Sequence, residues 1–538
     1  MKRHIFFVVV VLISLLAGSL IVSANSSSDI RITLQLNNPI MEVNGVPTEI
    51  DDGRGTAPVL INQRTVVPIR AIIESFGGSV DWEEATQSVL LGMRGDIIKL
   101  ALNSNIAYIN NMRYALDVAP VAINGRTMLP IRFIAEGFNL DVSWDDKTQT
   151  VGVSGKFFDK NAPLPKPLYS VGILSDVHIQ NISNDNTNSQ EKFSKALQFF
   201  SDYGAKMVCI SGDLTDNGTD SEFQKYKEIR DNSSIPVYET TGNHEASSSR
   251  TYKSKTDNAD CIAYHLYNLI DRDFCYVLYE DTYEGLSFTY NNGNLCAEKR
   301  VVKTGLNLPE NEVYFFVGIL GDANYGLFFQ EELQWFKDKL EMFRNKRCYV
   351  FEHCRAERLR WDSSRSAYVE DLYSQFVSGN ISGKYLKPLW GQADNSGKPN
   401  YARIFEKLMA HYTNCVWFHG HTHASANVAK TYDASVGNID NFFGDKYHPW
   451  NLSSPKENTK YSWSVHVSSC AEPRTIKDGV SVAEHDGSEG CIMDVYENKV
   501  VVKYVDFINS EIICEYTLKT NIDPITENTY SDSTGLIK

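Results

Sequence analysis

Five short apolar runs in the last two-thirds of the chain each end in residues able to hold a metal ion, and this pattern restricts the fold more than any other. Tyr169 to Ser175 delivers Asp176 and His178, Met207 to Ser211 delivers Gly212-Asp213, and Ile235 to Thr240 leads into Gly242-Asn243-His244-Glu245. Arg347 to Phe351 ends in Glu352-His353, and Asn414 to Phe418 in His419-Gly420-His421-Thr422-His423. Helix-like stretches, Glu191 to Tyr203 and Glu222 to Arg230, separate the first three runs. Strands alternating with helices predict an α/β domain, and such folds gather their sites at the carboxyl ends of strands. A single D-x-H or G-D carries little information, and a lone histidine at a strand end is usually structural. Five such ends in series predict one shared site. Imidazole and carboxylate donors together suit Mn, Fe or Zn, whereas Mg or Ca would ask for oxygen alone.

The ordered set D-x-H, G-D, G-N-H-[DE], H and G-H-x-H resembles the calcineurin-like metallophosphoesterase family, from Tyr169 to about Leu518. The resemblance implies a four-layer αββα sandwich and a metal-dependent phosphoric ester hydrolase, phosphodiesterase-like or phosphatase, with two divalent transition-metal ions. It gives Asp176, His178 and His423 to one ion and Asn243, His353 and His421 to the other. Asp213 would bridge both, and His244 would stay unligated, facing the substrate phosphoryl group. Asp213 and His244 are therefore the expected catalytic residues. On this pattern the ions stand about 3.5–4 Å apart and a water between them supplies the hydroxide nucleophile. His244 would stabilise the charged transition state and protonate the leaving alkoxide.

The chain departs from the family pattern in one place: Glu352-His353-Cys354-Arg355 stands where relatives often carry H-x-P. The tyrosine ligand of purple acid phosphatases would follow closely on G-D, yet none occurs before Tyr226, which disfavours that subclass. Asp216 and Glu245 read either as carboxylates orienting ligand histidines or as turn and cap residues, and His419 reads as structural. The rival from another class is a non-catalytic surface protein that keeps the fold to bind wall polymers. Filled ligand positions argue against it.

Ahead of this half lies a repeat. Leu60 to Arg70, with its core Arg64-Thr65-Val66-Val67-Pro68-Ile69-Arg70, returns as Ala122 to Arg132, with Arg126-Thr127-Met128-Leu129-Pro130-Ile131-Arg132; Trp82 returns as Trp144. A fixed period means one structural unit used twice. Each copy reads as strand, short amphipathic helix and Val-x-Trp strand, a small duplicated α+β domain over residues 31–155. It resembles the copper amine oxidase N-terminal-like domain, a stalk module of exported Gram-positive proteins. Residues 31–155 contain neither His nor Cys, so the ligands copper favours are missing. Arg70 and Arg132 read as surface or ion-pair residues. Three prolines within 156–168 predict a stiff linker, followed by the catalytic domain at 169–520 and a tail at 521–538.

Residues 1–24 read as a signal peptide: Lys2, Arg3 and His4, an apolar run from Ile5 to Val22, then Ser23-Ala24. An uncleaved anchor is the alternative. Either way the expectation is a secreted or cell-surface protein, with no membrane span once the signal is removed and wall association through the stalk. A net charge of −15 over 538 residues gives no broad pull on phosphate backbones. The expected partner is a small phosphorylated substrate. Of ten cysteines, Cys209, Cys348 and Cys415 sit in apolar runs and read as buried thiols. The inserts at 247–300 and 356–399 read as pocket walls. Gln330 to Phe343 reads as an amphipathic helix, and Ser464 to Val467 and Cys491 to Val505 as strands closing a second sheet.

Overall fold

Parallel strands covered on both faces read as unbroken apolar runs. In the computed structural model β1 (Tyr169–Leu174), β2 (Val208–Ser211) and β3 (Val237–Thr240) are accordingly buried at every residue. They pair in parallel, Ile173 opposite Cys209 and Cys209 opposite Tyr238. Between them run α1 (Ser189–Tyr203) and α2 (Asp220–Asp231). Phe193, Ala196, Leu197 and Phe200 recur at helical spacing and bury one face of α1. Gly204, with φ 86°, then ends the helix. Thr219 and Glu222 form a capping box at the start of α2. A Cβ at Gly172 would lie 2.5 Å from the Phe200 ring, so glycine is what lets α1 rest directly on β1.

The structure describes residues 29–110, 112–181, 187–240, 242–246, 299–302, 312–317, 330–353, 408, 412, 414–426, 463–477 and 480–519. The expected signal segment (1–24), Cys261, Cys275, Cys296, Cys354, Arg355, nearly all of both inserts and the tail lie outside them.

After β3 come α3 (Asn243–Ala246), β4 (Lys299–Val302), β5 (Glu312–Val317), α4 (Gln330–Met342), β6 (Arg347–Phe351), β7 (Cys415–His419) and β8 (Trp463–His466). The hairpin β9 (Arg474–Lys477) and β10 (Val480–Ala483) follows, then β11 (Glu489–Val495), β12 (Lys499–Asp506) and β13 (Glu511–Lys519). One sheet has the order β3-β2-β1-β11-β12-β13 and the other β4-β5-β6-β7-β8. They meet face to face, with the buried Tyr169 and Tyr314 hydroxyls 2.7 Å apart and Tyr238 packed on Phe316. Helices α1 and α2 cover the outer face of the first sheet. Helix α4 covers that of the second, Phe336 lying edge-on to Phe315. This is the four-layer αββα arrangement.

One expectation fails here. The strands from Cys491 to Val505 join the first sheet, because β11 runs antiparallel beside β1 with Cys491 opposite Ile173. Being buried on both faces, β11 shows no alternation that could say which sheet it completes. The Trp463–His466 strand does lie in the second sheet. Cys209, Cys348, Cys415, Cys470 and Cys491 are buried free thiols. No helix among the described residues is long and apolar enough to cross a membrane.

The chain divides into two units. One runs to Asn105 and takes up Asp117–Leu164; the other begins at Pro165 and includes Ile106–Leu116. In the first, Asp29–Gln35 pairs antiparallel with Thr150–Lys156, so the first and last described strands of the unit close it. The repeats meet through Arg64–Pro68 and Arg126–Pro130, with Met128 opposite Pro68 and Pro130 opposite Val66. With the offset of 62 this pairing maps onto itself, the signature of a local two-fold. Each copy supplies its helix, Arg70–Ser75 and Ile131–Gly137, and its tryptophan strand, Ser79–Glu83 and Asp141–Asp145. Arg70 and Arg132 are exposed and pair with Glu74 and Glu136 one helical turn on.

Candidate metal centre

Every predicted site residue lies just beyond a strand end: Asp176 and His178 after β1, Asp213 after β2, Asn243 and His244 on α3 after β3, His353 after β6, His421 and His423 after β7. Backbone bonds lace these loops together. Asp176 and His178 donate from N–H to the Gly212 and Asp213 carbonyls, and Gly420 N–H donates to the His353 carbonyl. Two glycines permit the crowding. A Cβ on Gly420 would fall 2.3 Å from Asp176 Oδ2, and one on Gly242 would fall 2.1 Å from Asp213 Oδ1.

The donors fall into overlapping groups: Asp176, His178 and His423; His178, Asp213 and His244; and Asp213, His353 and His421. His178 Nε2 and His423 Nε2 lie 3.0 Å apart. Asp176 Oδ1 is 3.2 Å from His423 Nε2. Asp213 Oδ2 is 3.6 Å from His178 Nε2 and 3.0 Å from His353 Nε2, so one carboxylate oxygen stands between the first group and the third. Asn243 is buried and heads the turn whose next N–H, that of His244, donates to Asp213 Oδ1 (3.0 Å).

Outer contacts fix which imidazole nitrogen faces inward. His353 Nδ1–H donates to the Ser211 carbonyl (2.9 Å), His423 Nδ1–H to the Glu472 carbonyl (3.1 Å) and His244 Nδ1–H to the Asp216 carbonyl (2.6 Å). A carbonyl can only accept, so Nδ1 carries the proton and Nε2 turns to the centre. Glu245 serves the loops and not a histidine: it accepts from Thr215 N and Oγ1 (2.9 Å each) and from Gly242 N (2.8 Å). Asp216 Oδ1 lies 3.6 Å from His178 Nδ1. His419 is buried against Trp417 and His466.

Burial alone would raise the Asp176 carboxyl, but His423 and His178 hold it well below the usual range. Asp213 is depressed likewise, its burial outweighed by His353 and His244. Burial opposes charge on His353, yet Asp213 carries it up to about 9. Burial and the neighbouring His353 push His421 down to about 4. The carboxylates thus draw positive charge from whatever is near. A buried His353 Nε2 without a directed hydrogen bond, and two facing imidazole nitrogens, are what divalent cations would satisfy. The residues fit such ions.

A cleft of about 450 Å³ opens over His178, His244, His421 and His423, with Glu472 and Arg474 on its rim. Glu472 and Arg474 escape the motif reading because no strand-end signature marks them. The polar run Ser468-Ser469 after β8 is the one local hint that the chain returns here.

Residues 169–425 match the family model of the calcineurin-like phosphoesterase, and residues 43–153 that of the copper amine oxidase N-terminal domain. Among solved structures the chain is similar to a dimetal phosphatase from Danio rerio, at 12% identity and a TM-score of 0.35, over 66% of this chain and 100% of that one. It is similar also to a purple acid phosphatase from yellow lupin (Lupinus luteus) seeds, at 12% and 0.35, over 92% and 80%. A third is GAP50, the anchor in the inner membrane complex of Plasmodium, at 10% and 0.33, over 66% and 90%. No curated protein matches the chain.

Proposed function

Residues 169–425 belong to the calcineurin-like phosphoesterase family, and from that premise we propose that the chain is an exported hydrolase of a small phosphoric mono- or diester, working with two transition-metal ions. One observation carries the dinuclear reading: Asp213 Oδ2 stands between His178 and His353, which belong to separate donor groups. Asp176, His178 and His423 would hold one ion, Asn243, His353 and His421 the other, and Asp213 both. Bound there, such ions supply Lewis acidity toward the phosphoryl oxygens and activate water as the nucleophile. His244 is oriented by the Asp216 carbonyl and 27% exposed toward the cleft, so its Nε2 can carry a proton to the leaving alkoxide. The front unit has no histidine or cysteine in 31–155 and serves as a wall-associating stalk.

Asp213→Asn tests the shared carboxylate. Elemental analysis should show both ions diminished together. Hydrolysis of bis(4-nitrophenyl) phosphate should fall beyond the roughly 10–100-fold loss typical of outer-contact changes. Full occupancy in that variant, or one ion in the wild type, would contradict the reading.

A further inference from the structure

The two proposed ion positions rest on unlike supports. His353 is oriented by the carbonyl of Ser211, the last residue of β2, and both residues are wholly buried. His423 is oriented by the carbonyl of Glu472, in the stretch between β8 and β9. That stretch is fastened to the site from several sides. Ala471 N–H and Ser469 Oγ–H donate to the Asp176 carbonyl (3.1 Å each), Glu472 N–H donates to Ser469 Oγ (2.9 Å), and Arg474 N–H donates to the His423 carbonyl (2.6 Å). From the helix side comes Lys192 of α1, only 3% exposed. Its Nζ donates to the Ala471 and His485 carbonyls, 2.6 Å each. These two carbonyls flank the β9–β10 hairpin, so one ammonium clasps both ends of it. Burying an ammonium is costly unless hydrogen bonds repay it, and here they are made to the backbone that aims a ligand histidine.

We propose that Lys192 is a positioning residue for the Asp176–His178–His423 ion alone. By fixing the Ala471 carbonyl, one peptide before the carbonyl that orients His423, it governs occupancy of that position. The Asp213–His353–His421 position, aimed from β2, does not depend on it. The inference rests on the dinuclear reading above.

The test is calorimetric titration of Zn²⁺ into the chelator-treated full chain. The wild type should take two ions. Lys192→Met should take one at wild-type affinity and the other about 10–100-fold more weakly, the usual cost of losing an outer partner. Lys195→Met, on the exposed part of the same helix beside Glu191, should keep both. A merely structural lysine would lower the melting temperature without selecting an ion. Two unchanged ions in Lys192→Met, or equal weakening of both, overturns this inference alone. Fewer than two ions in the wild type overturns the dinuclear reading and this inference with it. If Lys192→Met does not fold, the same titration on Ser469→Ala decides: selective loss of one ion supports the clasp, and equal binding of both overturns it.

Discussion

The two units spend left-handed backbone on different things. In the front unit it recurs as consecutive pairs in tight hairpin turns: Asn44-Gly45, Asn62-Gln63, Arg94-Gly95 and Asn124-Gly125, all at positive φ. Two positive φ values in a row are what a two-residue hairpin turn of the I′ type demands, and Asn and Gly adopt them cheaply. In the second unit positive φ occurs at ordinary caps and turns such as Asn188, Gly204 and Ser510, but it also falls on Asp176 (52°), His178 (46°), Asp213 (51°), His421 (73°) and His423 (57°). The five site residues are there for their side chains, and each such conformation costs about 1–3 kcal/mol. Buried ion pairs separate the units as well. The second unit has exposed pairs such as Lys195–Glu191, but among the described residues it alone has pairs buried on both sides, Arg230–Glu239 and Arg347–Glu312, whereas Arg64–Asp117 and Arg70–Glu74 of the front unit are half exposed. One unit is built economically from local rules. The other is strained where its chemistry sits.

The largest expected effect breaks the second unit without unfolding it. His244→Ala should keep both ions while kcat falls about 10²–10⁴-fold, the range for a lost proton donor. The fall should be steepest for alkyl esters, because nitrophenolate leaves without a proton. His421→Ala should lose an ion and activity together. Metal content and kcat measured on both variants check the assignment, and metal loss in His244→Ala would make that residue a ligand.

A glycine in each unit sharpens the contrast. Gly125 in a front hairpin has φ 72° and open space around its missing Cβ. Gly125→Ala should cost about 1–2 kcal/mol in urea unfolding, from backbone handedness alone, and leave turnover intact. At Gly420 a methyl would meet Ser175 Oγ at 1.8 Å and Asp176 Oδ2 at 2.3 Å. Gly420→Ala should displace the Asp176 carboxylate and abolish activity. Equal behaviour of the two variants would erase the distinction.

Much of this was legible because it is written locally. Each strand-end donor set, the apolar face of α1 and each copy of the repeat is written within about a dozen residues, and recurrence along the chain gives the donors and the repeat their meaning. What stayed hidden depends on partners far apart in sequence. The Lys192–Ala471 bond spans 279 residues, and the Ser170–Asp494 bond 324. The sheet that β11 completes was unreadable because a strand buried on both faces has no alternation to orient it. Glu245 was ambiguous for a related reason: a carboxylate beside a ligand can serve metal, histidine or backbone, and only the approach of Thr215 and Gly242 decides.

The smallest effect concerns pH, and its sign should differ between the units. In the front unit Asp51 is held below the usual carboxylate range: its burial is outweighed by Arg126 and Thr56. A depressed carboxyl stabilises above its unfolded value and loses that contribution as pH falls through its folded one. In the second unit burial pushes Glu312 up to about 7 despite Arg347 at 3.1 Å, and burial does the same to Glu489. A raised carboxyl binds more protons folded than unfolded, so stability falls as pH climbs from about 4.5 toward 7 and is flat above. Thermal melts of the chelated chain at pH 5 and pH 8 read this out. Glu312→Gln should lose less melting temperature across that interval than the wild type. Asp51→Asn should be destabilised at neutral pH and converge on the wild type in acid. A wild type whose second unit gains stability from pH 5 to pH 8 more steeply than Glu312→Gln would reverse the sign and with it the claim that buried carboxyls there are held against their charge.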